Sequence, residues 1–102
     1  MSTLHTVNKS PFSNQSLVSC LNHASDGDAI LMIEDGVYGA ASGTRLSDAV
    51  AAHHGAVSIF VLGPDLAARG IDASRLIDGI STIDYPGFVE LAARHDLTHA
   101  WL

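Results

Sequence analysis

Ala29-Ile30-Leu31-Met32-Ile33 is an unbroken apolar run held between two turn-forming segments, Asp26-Gly27-Asp28 and Glu34-Asp35-Gly36. Such a run is far too short to cross a bilayer. A strand covered on both faces reads in this way, because neither set of alternating side chains meets water. The rest of the chain must therefore supply two covering layers.

Four further segments read as strands. Leu4–Val7 comes first. Val57–Leu62 is rich in β-branched residues and closed by Gly63-Pro64. Ile80–Ile83 and Thr98–Leu102 complete the set. Helix signals lie between them. Ser13 is placed to cap a helix running to about Ser25, with Leu17, Leu21 and Ala24 as its apolar stripe. A second helix reads from Leu46 to His54, and a short third one covers Asp65–Arg69. Pro86–His95 is the fourth, with proline near its first turn. Val37–Thr44 is glycine-spaced and the loosest stretch.

Strands alternating with helices imply parallel pairing through right-handed crossovers. The expected fold is α/β: one domain over residues 1–102, with three α/β/α layers, a mainly parallel five-stranded sheet and a flavodoxin-like build. Function in such sheets sits beyond the carboxyl ends of the strands. Here that edge is polar and mostly acidic, with Glu34-Asp35 and Asp84.

Charge narrows the partners. The chain carries 5 Lys/Arg against 11 Asp/Glu, a net −6. No basic patch is available to neutralise phosphates, so neither direct nucleic-acid binding nor an acidic membrane surface is expected. Only 16% of residues are charged and the mean hydropathy is +0.24, so some apolar surface is expected to be covered by a partner. The Met1–His5 start has no basic segment followed by an apolar one, and a cytoplasmic location is expected.

The chemistry concentrates on Cys20, the single cysteine. A lone thiol makes no internal disulfide and no cysteine-rich metal site. On the first helix it falls toward the border of the Leu17/Leu21/Ala24 stripe, with Ser16 four residues before it and His23 three after it. Two readings stand: a small apolar group packed in the core, or a thiolate favoured by a neighbouring imidazole. The helix dipole acts mainly in the first turn and activates this position little.

Other chemistries lack their motifs. His53-His54 point about 100° apart on a helix, no HExxH or Cys/His cluster appears, and no metal is expected. Glu34 and Asp35 point to opposite faces of a strand and make no acid–base dyad. Asp65 and Arg69 are spaced for a local salt bridge. Neither a G-x-G-x-x-G nor a Walker sequence is present, and no cofactor is expected.

The segments Leu4-His5-Thr6-Val7-Asn8-Lys9-Ser10-Pro11, Glu34-Asp35-Gly36-Val37-Tyr38, Val61–Gly70, Asp84–Val89 and Ala100-Trp101-Leu102 together resemble the DsrH/TusB family, from end to end and in the same order. The resemblance implies a DsrEFH-like fold. It also implies a cytoplasmic subunit of a sulfurtransferase complex, a heterohexamer with DsrE/TusD-like and DsrF/TusC-like partners. Such a complex relays persulfide sulfur to a DsrC/TusE-type acceptor, for intracellular sulfur oxidation or tRNA wobble-uridine 2-thiolation. The main active cysteine of these complexes is implied on the DsrE/TusD-like subunit. Ser16-Leu17-Val18-Ser19-Cys20-Leu21 is similar to the Ser-x-x-Ser-Cys-Leu setting of DsrH proteins. The resemblance therefore favours the DsrH branch and marks Cys20 as the candidate persulfide-carrying thiol. Its alternative is a purely structural subunit whose partner carries the reactive cysteine.

Overall fold

The computed structural model describes residues 2–102; Met1, the first residue of the start read above for a leader, lies outside them. Five parallel strands form one sheet in the order β4-β3-β2-β1-β5. They are β1 (Thr3–Val7), β2 (Ala29–Met32), β3 (Ser58–Leu62), β4 (Ser81–Ile83) and β5 (Leu97–Trp101). The unbroken apolar run is the central strand, and all four residues of β2 are buried. Four α-helices connect the strands: α1 (Ser16–His23), α2 (Ser47–His53), α3 (Gly63–Ala68) and α4 (Tyr85–Arg94).

The chain sweeps from β1 to β4 in one direction, and α1, α2 and α3 pack on one face. It then returns from β4 to the far side of β1, and right-handedness puts α4 on the other face. Two cores result. Val7, Ile30, Met32, Ile59 and Val61 meet Leu17, Leu21, Val50 and Leu66 on the first face. Leu4, Ala29, Leu31 and Leu62 meet Leu91 on the second. Each fully buried Leu or Ile contributes about 2 kcal/mol. The winding reverses between β1 and β5, whereas in flavodoxin it reverses between the first and third strands.

Local chemistry sets the element ends. Asp84 caps α4 by accepting from the Gly87 amide, and proline enters the first turn as expected. Ser13 does not cap α1. Its hydroxyl donates to the Ser10 carbonyl, Asn14 Oδ1 accepts from the Ser16 amide, and the helix begins two residues later than expected. The stretch from Glu34 to Ala40 is a 3-10 helix rather than a loose segment. It is seated on the end of β1, where a Cβ on Gly36 would strike the Val7 carbonyl.

Candidate functional site

Cys20 lies in the first core with no exposed surface. The expectation that it borders the buried face is corrected. Leu17, Cys20, Leu21 and Ala24 are spaced i, i+3, i+4 and i+7, so they form one face of α1. That helix packs across both β1 and β5, which widens its buried side. Burial pushes the thiol up to about 12, and the Asp28 carboxylate adds to the rise. At neutral pH the group is un-ionised, and a thiol is a poor nucleophile.

The two neighbours expected beside Cys20 turn elsewhere. Ser16 Oγ donates to the Leu102 carbonyl, 3.2 Å away. The His23 ring meets His5, His99 and Trp101 at centroid distances of 6.2, 6.2 and 5.7 Å.

That group of rings is the main polar assembly of the molecule. His5, in the middle of β1, pairs in register with Ile30 on β2 and with His99 on β5. It is 1% exposed, so both ring nitrogens need partners. Trp101 Nε1 donates to Nδ1 at 3.0 Å. Indole is a donor only, so Nδ1 carries a lone pair. The proton therefore sits on Nε2, which donates to Asp28 Oδ2 at 2.9 Å. Asp28 also accepts from the Thr3 and Ser25 amides. Burial alone would raise its carboxyl, but the hydrogen bonds from Ser25, His5 and Thr3 outweigh it and hold Asp28 below the ordinary range. His99 stacks on Trp101 with centroids 4.5 Å apart and planes 10° from parallel.

An open pocket of about 250 Å³ lies over these groups, lined by Thr3, His5, His23, Ser25, Asp28, Leu97 and His99. Its chemistry is limited. His5 has both nitrogens committed, and neither is free to act as a general base while the Trp101 bond is made. No cysteine lines the pocket. Although three imidazoles stand 5.8–6.2 Å apart, no group of three His, Cys, Asp or Glu among the described residues is arranged to hold a metal ion.

The carboxyl edge is tied by its own charges. Arg69 donates to Asp35 Oδ1 at 2.9 Å, and its link to Asp65 is to the backbone carbonyl. The expected Asp65–Arg69 salt bridge is thus replaced by one to Asp35. Asp65 is engaged instead by the Glu34 amide, at 2.6 Å, and Glu34 adopts a left-handed φ of 50°. Asp35 and Glu34 are exposed, as a solvated strand end requires.

Sequence reasoning missed His5, Asp28, His99 and Trp101 as a unit. Its available signal was a histidine inside an otherwise buried first strand, which demands partners. No helix among the described residues is long and apolar enough to cross a membrane.

The family described as "DsrH like protein" matches residues 9–98. Curated relatives named Protein TusB from Escherichia coli O81 (strain ED1a) and from Shigella flexneri are 34% and 33% identical over 98 residues; each alignment takes in 96% of this chain and 99% of the relative. Among solved structures, the ychN protein from E. coli superposes with a TM-score of 0.82 at 15% identity, covering 98% of this chain and 99% of that one. MTH1491 from Methanobacterium thermoautotrophicum follows at 0.73 and 14%, over 97% of each chain. At such identities these structures share the fold alone.

Proposed function

Because the chain belongs to the DsrH-like family, we propose that it is an accessory subunit of a cytoplasmic sulfur-relay complex of the DsrEFH/TusBCD type. Its partners are DsrE/TusD-like and DsrF/TusC-like subunits, and the complex passes persulfide sulfur to a DsrC/TusE-type acceptor. The sulfane sulfur rides on a partner subunit's cysteine. In this reading Cys20 is a core side chain that helps α1 seat on the sheet.

One observation carries the reading: the sole thiol is fully buried and un-ionised at neutral pH. Persulfide transfer needs a thiolate that can reach a sulfane sulfur. Exposed Tyr85, Val89, Leu97 and Leu102 supply apolar surface for subunit contacts. The net charge of −6 supports assigning any tRNA step to another component. The competing reading, Cys20 as a carrier, requires α1 to lift from the sheet.

The test is mass spectrometry of the assembled complex after exposure to a persulfide donor. The mass of one added sulfur atom is expected on a partner cysteine, with this chain unmodified. An adduct on Cys20 that forms as fast as the partner's would replace this reading with the carrier one.

A further inference from the structure

Trp101 is the only tryptophan and stands at the end of β5, an edge strand paired on one side alone. Leu97, Thr98, His99 and Ala100 are exposed, so Trp101 is the residue of β5 that packs inward against the first core. Its indole is fastened to His5 Nδ1. Asp28, which acts only as an acceptor, holds the proton of His5 on Nε2. A second proton on His5 has one place to go, Nδ1, where it would face the indole N–H. An imidazolium has no acceptor nitrogen. The Trp101 bond and a protonated His5 are therefore mutually exclusive.

We propose that His5 and Trp101 form a proton-sensitive latch on the C-terminal strand: protonation of His5 at Nδ1 releases the indole and loosens β5. The bond lost is N–H···N, and the incoming proton comes from solvent. Several charged or titratable groups face the ring. They are Asp28, from the turn before β2, at 2.9 Å, and His23 from α1 and His99 from β5, at 6.2 and 5.8 Å between centroids. Asp96, at the head of β5, is held by the Ser2 amide. Cys20 shares the first core and stays neutral. After release, β5 relies on its single ladder to β1 and the Ser16–Leu102 contact, and it frays more readily. The opening is therefore local, as an edge element with few buried contacts permits.

The experiment is an NMR titration of the full chain over about pH 8 to 5, the range in which histidines change charge. A single tryptophan gives a single indole N–H resonance. That resonance and the His5 ring carbons are expected to shift with one midpoint. Below it, indole hydrogen exchange, corrected for its intrinsic pH dependence, should be about tenfold faster, matching the loss of one hydrogen bond. The β5 amides should follow, while those of β2 stay protected. The proposal is overturned if His5 protonates while the indole remains protected, or if His5 stays neutral until the whole domain unfolds. His5→Gln, whose amide oxygen accepts at every pH, should abolish the indole response. If that variant does not fold, His23→Asn and His99→Asn, both at exposed positions, decide the matter. The shared midpoint should survive in each, and its loss in either would assign the effect to the surface imidazoles instead.

Discussion

Trp101 donates its indole proton to His5, 96 residues earlier in the chain, across 3.0 Å. This bond joins the two ends of the sequence at the place where the sheet reverses its winding. It also commits the last nitrogen of His5, so the ring is bonded at both nitrogens while the latch is closed.

Trp101→Phe keeps an aromatic ring over His99 and removes only the donor. A buried imidazole nitrogen is then left without its partner, at a cost of about 1–2 kcal/mol. Urea unfolding followed by circular dichroism should show that loss. Trp101→Ala should cost more, because the packing on the first core goes as well.

Asp28→Asn tests the other end of the relay. The folded carboxyl of Asp28 is held below its ordinary value of 3.8. Its ionised form therefore stabilises the fold fully above that ordinary value, and the contribution is lost as pH falls through the folded one. At pH 7 the variant should be about 2 kcal/mol less stable, since the NH2 that replaces one carboxylate oxygen cannot accept and leaves either the Thr3 amide or the His5 and Ser25 donors unpaired. The gap to the parent should narrow below about pH 4, where Asp28 takes up a proton. Unfolding curves at neutral and acid pH measure both effects.

The elements followed from local pattern, and the site did not. Ala29–Ile33 reads as a strand covered on both faces because it has no polar alternation, and it supplies the central strand. Pro86 marks the start of α4 because a proline acts within the first turn. A stripe centred on Leu17, Leu21 and Ala24 places Cys20 too near the surface, because it takes no account of β5 beside the helix. The His5–Asp28–Trp101 relay depends on β1 lying between β2 and β5. That order is a matter of crossover geometry, to which residue periodicity is blind. Arg69 chose Asp35 over Asp65 for a similar reason: the 3-10 helix after β2 brings a closer carboxylate than the expected turn partner.

Cys20 should behave as a core group toward thiol reagents. With its thiol pushed up to about 12, the native chain should be labelled at pH 8 about a thousandfold more slowly than a free cysteine. Labelling should become fast in urea. Cys20→Ala should fold with a loss of about 1 kcal/mol, while Cys20→Ser should cost about 2 kcal/mol by burying an unpaired hydroxyl. Rapid labelling of the native chain would mean that α1 opens readily.

The decisive measurement is sulfur transfer by the complex reconstituted from this chain and its relay partners, with wild-type or Cys20→Ala subunit. If the partner's cysteine carries the sulfur, both complexes should assemble and deliver persulfide to the acceptor at rates within about twofold, since no interaction with the migrating sulfur has been removed. An intact Cys20→Ala complex whose transfer falls about a hundredfold would contradict the account and make Cys20 the carrier.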